Sequence, residues 1–392
     1  MDRTEQPMIR LDGVSKQYAD GTVAVHELDL DVPEGELCVL VGPSGCGKTT
    51  TMKMVNRLVE PSGGRIFLDG EDVTKVDPVK LRRRMGYVIQ QIGLFPHQTI
   101  RQNVATVPSL LGWDGTRTRH RVDELLELVG LEPSTFGDRY PHQLSGGQRQ
   151  RVGVARALAA DPPVLLMDEP FGAVDPIARE RLQMEFLRLQ SEVRKTIMFV
   201  THDIEEAVRL GDRIAVFSTG GRLEQYDHPA TVLGNPASPF VADFVGADRG
   251  LKQMSVTSIA ESDLEHPPTI GLEDTLTSAR ERLSRSRERW AVVLSEDGSL
   301  HGWIGAESTV GPGVVRDQAR RMEAWVRRDQ SLKDAFSEML KHDAGWVAVL
   351  EGDRYVGVIT PNTLHEGLRR AVLADARGAQ PEDIELDSVS HA

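Results

Sequence analysis

A short glycine-rich stretch holds the residues best suited to bind a phosphate group. It reads Gly-Pro-Ser-Gly-Cys-Gly-Lys-Thr and is followed by a second threonine. Glycines let successive backbone N–H groups turn toward one anion, and a helix after the loop adds its positive end. The lysine would reach the β- and γ-phosphates of a nucleotide, and the first threonine hydroxyl would bind Mg²⁺. The residues predicted to contact nucleotide are Gly42, Pro43, Ser44, Gly45, Cys46, Gly47, Lys48, Thr49 and Thr50.

Two adjacent carboxylates follow a run of four apolar residues, Val164 to Met167. At the end of a strand, Asp168 can hold Mg²⁺ directly or through water, and Glu169 can orient an attacking water. An ordinary solvated strand end is the alternative interpretation. The phosphate-binding loop upstream favours the catalytic one.

A third segment, Leu144–Arg151, places a serine hydroxyl and two glycines at the start of a helical run. Such a helix start is a second potential anion site. If this segment caps a helix elsewhere, it cannot reach the phosphate held at Lys48. The pattern therefore indicates a nucleotide shared between two copies of the chain.

The elements around these motifs alternate as in an α/β layer structure. Residues 36–42, 162–170 and 195–203 are apolar strand-like runs that end in polar residues or glycine, and residues 97–160 contain a longer helical stretch. Residues 213–227 read as a hairpin around Gly-Gly. Because ligands of parallel sheets bind beyond the carboxyl ends of the strands, the polar strand ends are expected to meet there.

Composition restricts the classes of protein that remain possible. The 392 residues predict two or three domains, and the net charge of −13 argues against a protein that coats nucleic acid. No apolar run approaches the ~18 residues of a membrane-spanning helix, and the N-terminus lacks the apolar core of a secretory signal. The two cysteines, Cys38 and Cys46, indicate reduced cytosolic thiols, and Cys46 is interpreted as a small filler of the loop. We therefore expect a cytosolic protein.

The last third of the chain contains an internal repeat. Residues 269–294 match residues 325–350 with an offset of 56, and each copy reads as helix, strand, turn and strand. Four of the five tryptophans lie beyond residue 285, and two of them occupy equivalent places in the copies. A pair of such units could bury a core that one alone could not.

With its motifs in this order, the chain resembles an ATP-binding-cassette (ABC) ATPase. The resemblance implies a P-loop NTPase cassette of α/β class, with a RecA-like core and a helical subdomain. It assigns Glu169, His202 and Gln90 to catalysis, and Thr49, Gln90 and Asp168 to Mg²⁺. Further residues implied to contact ATP, some of them across a dimer, are Tyr18, Ser145, Gly146, Gly147, Gln148 and Asp175.

The family also implies a mechanism and partners. Two cassettes would close head to tail over two Mg·ATP, and hydrolysis would reopen the dimer and reset membrane permease subunits. The protein would be peripheral, at the cytoplasmic face of the plasma (inner) membrane. It would meet an extracytoplasmic substrate-binding protein only indirectly and would bind no nucleic acid.

Longer matches narrow the resemblance to import ATPases for the osmoprotectants glycine betaine, carnitine and choline. They include residues 38–64, 82–100 and 244–255. An import ATPase for another small solute, such as an amino acid, is the alternative. Soluble cassette proteins of translation or DNA repair are a further alternative, but they usually carry two cassettes or a coiled-coil insertion, and this sequence shows neither. A purely regulatory nucleotide-binding module would not need Glu169 and His202, so their presence argues against it.

The repeat resembles a pair of cystathionine-β-synthase-type (CBS) modules of α+β class. We expect the cassette at 1–247, a linker at 248–255, CBS repeats at 256–310 and 311–372, and an acidic, disordered tail at 373–392. CBS pairs often bind adenine nucleotides with a threonine and an aspartate three residues later. Here Thr360 is followed by Thr363 and Gly305 by Ser308, so both aspartates are missing, which argues against a regulatory nucleotide site of that kind. The expected role is autoinhibition relieved by ionic strength or a signalling nucleotide.

Overall fold

The apolar runs of the first part of the chain form the centre of a mostly parallel sheet. The computed structural model describes residues 6–89, 93–172, 174, 176–286 and 288–377. The chain divides into two units, of which the first comprises the residues up to Val232 together with Pro236–Val245. Its strands are β1 (Ile9–Gln17), β2 (Val23–Val32), β3 (Leu37–Val41), β4 (Gly63–Leu68), β5 (Glu71–Asp72), β6 (Met85–Val88), β7 (Val164–Asp168), β8 (Thr196–Val200), β9 (Arg213–Ser218) and β10 (Arg222–Asp227). The helices up to residue 245 are α1 (Lys48–Val55), α2 (Pro78–Arg82), α3 (Ile100–Leu110), α4 (Gly115–Leu128), α5 (Pro133–Phe136), α6 (Gly146–Leu158), α7 (Pro176–Val193), α8 (Ile204–Leu210), α9 (Pro229–Gly234) and α10 (Pro239–Val245).

The central sheet has the strand order β10-β9-β3-β8-β7-β6. Every residue of β3, β7 and β8 is buried, as expected for parallel strands covered on both faces. These strands confirm the three predicted from apolar runs. β9 and β10 form the predicted hairpin, in which Gly220 and Gly221 both have positive φ.

A second sheet is antiparallel and has the order β2-β1-β4-β5. Its strands bury Ile9, Leu11 and Val14 in a core that also takes Met52 and Met54 of α1. The helix after the phosphate-binding loop is therefore held between the two sheets by its apolar side chains, and the position of the loop follows from that packing.

Helices α3 to α6 occupy the stretch predicted to be helical. Thr99 begins α3 and Ser145 begins α6, each with a capping box in which side chain and backbone bond reciprocally. α6 packs on α3 and α4 and also on β6, so it connects the helical region to the central sheet.

The second unit contains the repeat. Its elements are α11 (Arg249–Val256), β11 (Thr269–Gly271), α12 (Leu276–Ser286), β12 (Trp290–Leu294), β13 (Leu300–Gly305), β14 (Arg320–Arg321), β15 (Trp325–Arg327), α13 (Leu332–Lys341), β16 (Val347–Glu351), β17 (Arg354–Ile359) and α14 (Pro361–Arg377). In each copy a short strand pairs in parallel with the next strand, which pairs antiparallel with the third. The helix-strand-turn-strand order predicted for both copies is confirmed, and each copy has its own buried core.

Two segments of the second unit differ in form from the expectation. Most of the expected linker, residues 248–255, lies in α11, which buries Gln253 and Met254 and packs on α13 and α14. α14 continues to Arg377, into the expected tail, and the rest of the tail lies outside the described residues. No helix in the described ranges is long and apolar enough to cross a membrane.

The equivalent tryptophans of the two copies meet face to face. The rings of Trp290 and Trp346 stack with centroids 4.4 Å apart and an angle of 17° between their planes. Aromatic pairs at this separation contribute packing beyond the area that they bury. The repeated tryptophan therefore joins the two copies.

A buried ion pair ties the last helix to the start of the repeat. Arg370 of α14 contacts Asp263, and their side chains are 6% and 1% exposed. Asp263 also accepts a hydrogen bond from the backbone N–H of Ala260 at 2.8 Å. Removing one member of such a pair leaves the other charge buried and uncompensated.

We therefore expect Arg370→Met to lower the free energy of unfolding of the second unit by about 3 kcal/mol. Urea unfolding followed by tryptophan fluorescence measures this, because four of the five tryptophans lie beyond residue 285. Arg369→Met is the matched control, since Arg369 is exposed on the same helix. Equal unfolding midpoints for the two variants would show that the pair adds no stability.

Candidate nucleotide site

The phosphate-binding loop leads from β3 into α1, and its backbone accepts only glycine at two points. Gly47 has φ +95°, and a Cβ placed there would lie 2.2 Å from the carbonyl oxygen of Ala24. At Gly42 a Cβ would lie 2.2 Å from the carbonyl oxygen of Phe217. The loop is thus pressed against β2 and the end of β9, and this contact sets the direction of its N–H groups.

Lys48 is buried beneath the loop. Its Nζ donates to the carbonyl oxygens of Gly42 and Pro43 at 2.7 and 2.9 Å. A bound phosphate must therefore compete with these two oxygens for the ammonium group. Cys46 is completely buried beside them, in agreement with its interpretation as a filler.

A cleft of about 240 Å³ opens over the loop. It brings most of the predicted loop residues together with Glu169, which comes from the end of β7. The residues that line it are Ala24, Ser44, Gly45, Cys46, Gly47, Lys48, Thr49, Thr50 and Glu169.

Thr49 and Asp168 meet at one side of this cleft. The Thr49 hydroxyl donates to Oδ1 of Asp168 at 2.9 Å. Burial raises the pKa of the Asp168 carboxyl, although the hydrogen bond from Thr49 and the charge of Lys53 oppose the rise. A hydroxyl and a carboxylate are oxygen ligands of the kind that Mg²⁺ takes while it keeps several waters. This donor pair fits Mg²⁺, and the described residues contain no cluster of three or more His, Cys, Asp or Glu that would suggest another metal.

Glu169 and His202 face each other where β7 and β8 end. Nδ1 of His202 lies 3.3 Å from Oε1 of Glu169, and the two side chains are 59% and 23% exposed. Glu169 has φ +43°, which is uncommon for a residue with a side chain. Its N–H donates to the Val200 carbonyl at 3.0 Å, so β8 holds the unusual turn in place. This conformation directs the carboxylate toward the histidine.

The residues at the start of α6, Ser145 to Gln148, are not among the residues that line the cleft of their own chain. The Ser145 hydroxyl accepts from the N–H of Gln148 at 3.2 Å, and the Gln148 amide oxygen accepts from the N–H of Ser145 at 2.9 Å. Ser145 and Gly146 are exposed, while Gly147 and Gln148 are half-buried. The start of α6 is therefore ordered by its own cap and leaves its outer face available.

Tyr18, Gln90 and Asp175 are predicted at the edges of the nucleotide site. Tyr18, just beyond β1, is 42% exposed, and Nζ of Lys16 lies 5.2 Å from the centre of its ring. Gln90 and Asp175 lie outside the described residues. Their predicted roles stay predictions.

The second unit contains a carboxylate that the sequence pattern missed. The Thr360 hydroxyl donates to Oε1 of Glu265 at 2.6 Å, and Thr363 Oγ1 accepts from the N–H of Thr360 at 3.0 Å. Glu265 lies 95 residues before Thr360 in the sequence. An isolated antiparallel β-bridge between Glu265 and Val358, near the end of β17, places it beside Thr360. A search for an acid three residues after the threonine could not find it.

Gly47→Ala tests the contact that shapes the loop. The left-handed φ and the 2.2 Å approach to Ala24 are incompatible with a Cβ, so we expect affinity for ATP to fall at least tenfold. Equilibrium binding of a fluorescent ATP analogue measures the loss. Gly115→Ala is the control, because nothing lies within 4 Å of a Cβ there, and a similar loss in both variants would contradict this account of the loop.

Comparison with known proteins agrees with the geometry. A sequence model described as "ABC transporter" matches residues 25–172, and one described as "CBS domain" matches residues 320–369. The chain is 45% identical over 363 residues to the glycine betaine/carnitine/choline transport ATP-binding protein OpuCA of Bacillus subtilis, covering 91% of this chain and 95% of the relative. It is 48% identical over 238 residues to the sulfate/thiosulfate import ATP-binding protein CysA of Synechocystis, covering 61% of this chain and 65% of that protein.

Among solved structures, the dimeric structure of the bacterial ABC transporter cassette MJ0796 aligns with a TM-score of 0.51 and 36% identity. The alignment covers 57% of this chain and 99% of that cassette. The phosphate-binding loop, the paired carboxylates and the similarity along nine-tenths of the chain lead to the same conclusion. The chain belongs to the ABC transporter family, as an ATP-hydrolysing subunit whose cassette is followed by a CBS module.

Proposed function

We propose that two copies of this ATPase close head to tail over two Mg·ATP and power the uptake of a quaternary-amine osmoprotectant. The position of Ser145 is the main support for a dimer, because Ser145 caps α6 and does not line the cleft around Lys48. A second copy could supply that helix start to the γ-phosphate. Each site would then be complete only in the dimer.

The side chains of the cleft have distinct roles in hydrolysis. Glu169 accepts a proton from the attacking water, and its 3.3 Å contact with His202 fixes the direction of the carboxylate. Lys48 and the loop N–H groups receive charge that develops on the transferring phosphoryl group. Tyr18 stacks on the adenine, and Gln90 and Asp175 connect the site to the permease and to the second cassette.

The metal ligands in this proposal are Thr49, Asp168 and Gln90. These residues would hold Mg²⁺, which when bound would supply positive charge against the phosphates. The chain's own contribution is the buried Asp168 carboxyl, which Thr49 holds 2.9 Å from its hydroxyl.

The extent of the similarity supports the choice of substrate. A sulfate import protein is 48% identical over 238 residues, so similarity over that part of the chain does not discriminate between solutes. The similarity to the glycine betaine/carnitine/choline protein also extends through the C-terminal module, to 91% of the chain. An import ATPase for another small solute, such as an amino acid, remains the second candidate.

The ATPase would sit at the cytoplasmic face of the membrane and act through integral permease subunits. The solute itself would be recognised by those subunits and by an extracytoplasmic binding protein. Reconstituting the complex and comparing stimulation of ATP hydrolysis by glycine betaine, carnitine, choline and amino acids would separate the two candidates. Stimulation by an amino acid alone would reject the osmoprotectant assignment.

Glu169→Gln is the direct test of the hydrolytic site. Glutamine keeps the shape but accepts protons poorly, so we expect ATP binding and ATP-driven dimerisation to persist. We expect steady-state turnover to fall by at least a hundredfold. Size-exclusion chromatography with ATP and a phosphate-release assay measure the two properties. Normal turnover in the variant would remove Glu169 from the role of base.

We also propose that the second unit restrains the ATPase until ionic conditions change. α12 carries the exposed Arg280, Arg282 and Arg285, and interactions of exposed charges weaken as salt rises. Deleting residues 255–392 is expected to preserve ATP hydrolysis and to abolish its dependence on salt. An unchanged salt dependence of transport in the truncated protein would reject this restraint.

A further inference from the structure

A buried polar network lies directly behind Glu169 and His202. It is formed by α7, which follows the turn after Glu169, and by α8, which follows His202. Glu206 of α8 is 7% exposed, and its Oε1 accepts from Nε2 of Gln183 of α7 at 2.9 Å. Gln183 is itself 5% exposed and accepts from Arg209 at 3.2 Å. Arg209 thus orients the amide of Gln183, and Gln183 in turn restrains the buried Glu206 carboxylate.

The network reaches the histidine through Thr201. The Thr201 hydroxyl bonds to the Glu206 carboxylate and accepts from the N–H of Asp203 at 3.1 Å. Thr201 is also fixed to β3, because its N–H donates to the Leu40 carbonyl at 3.1 Å. His202 stands between Thr201 and Asp203, so the Thr201 hydroxyl connects Glu206 to the backbone that carries the histidine.

The network reaches Glu169 through Arg179 of α7. A guanidinium N–H of Arg179 donates to the Val174 carbonyl at 3.1 Å. The N–H of Val174 in turn donates to the Phe171 carbonyl at 3.2 Å, and that of Gly172 donates to the Glu169 carbonyl at 3.1 Å. Arg179 thus closes the series of backbone bonds that shapes the turn after Glu169.

Arg179 and Glu206 face one another across a small space. Together with Glu169, Gly172, Thr201 and His202 they line a cavity of about 10 Å³, close to the volume that one water needs. Nε of Arg179 is buried and has no hydrogen-bond partner among the described residues, while its positive charge acts on the Glu206 carboxylate. A water at this point would join the two sides of the network.

We propose that Arg179 and Glu206 are positioning residues for ATP hydrolysis, which together hold the segments carrying Glu169 and His202 at their working separation. The inference rests on the proposed roles of those two residues. Neither Arg179 nor Glu206 lines the phosphate-binding cleft in the described contacts, so both act through the groups that they hold. Substituting either residue should therefore lower the rate of the chemical step and leave the affinity for ATP unchanged.

The central test uses Glu206→Gln and Arg179→Met in the full chain, with kcat and KM for Mg·ATP as readouts. We expect each variant to lose at least tenfold in kcat with KM within twofold of the wild type. Glu205→Gln and Arg181→Met are matched controls, because both residues are exposed and lie next to or near the tested ones on the same helices. A kcat within twofold of these controls, or a loss confined to KM, would overturn the proposal.

A double variant shows whether the two residues act as one unit. If they do, Glu206→Gln with Arg179→Met should lose no more than about twice what the worse single variant loses. Multiplied losses would mean independent effects and would reject the network. Arg179→Lys keeps the charge and a donor, so it should recover at least threefold over Arg179→Met.

Stability separates positioning from a general structural role. Burial raises the pKa of the Glu206 carboxyl, which means that its ionised form is less favourable in the folded protein than in the unfolded chain. Glu206→Gln should therefore leave the urea midpoint of the cassette at or above that of the wild type while kcat falls. A lower midpoint with a proportionate loss of active protein would contradict positioning.

Glu169→Gln is measured in parallel to separate the two hypotheses. If Glu169→Gln turns over normally, the assignment of the base fails whatever the network variants do. If Glu169→Gln is inactive and Glu206→Gln is as active as Glu205→Gln, the proposed function stands and this inference is rejected.

Discussion

The register of three parallel strands is the constraint on which the nucleotide site depends. Leu40 of β3 pairs with Val200 of β8, and Val200 pairs with Asp168 of β7. All three strands therefore end at the same edge of the sheet. Because side chains alternate between the two faces of a strand, a shift of one residue in any of them would turn its terminal groups away from the cleft. The phosphate-binding loop, the paired carboxylates and the histidine are close together because this register holds.

The site departs from ordinary backbone geometry where its groups must approach closely. Gly47 packs against a carbonyl of β2, and Glu169 adopts a positive φ that few residues with side chains take. Such conformations persist only when the surrounding structure determines them. Here the surroundings are the fully buried strands and the hydrogen bonds from β8 and α7. The rigid core thus stabilises the strained turn that places the Glu169 carboxylate in the site.

The second unit reaches its fold by a different route. Each copy of the repeat has a small core of its own, and the stacked Trp290 and Trp346 join the copies. The ion pair of Arg370 and Asp263 is buried from water and therefore little affected by salt, whereas the arginines of α12 are exposed. The unit combines an interior that is insensitive to ionic strength with a charged exterior that is sensitive to it.

The sequence by itself determined the buried strands β3, β7 and β8, the hairpin of β9 and β10, the phosphate-binding loop, the paired carboxylates, the start of α6 and the repeat. These follow from local patterns: apolar runs, glycines that permit unusual backbone angles, caps, and self-similarity. Only the tertiary structure decided which distant residues meet. Glu265 beside Thr360, and Arg179 facing Glu206 behind Glu169, are separated in sequence by 95 and 27 residues respectively. No local sequence pattern predicts such pairings. They arise because the packing of helices on a sheet excludes water, so that buried polar groups must hydrogen-bond to one another.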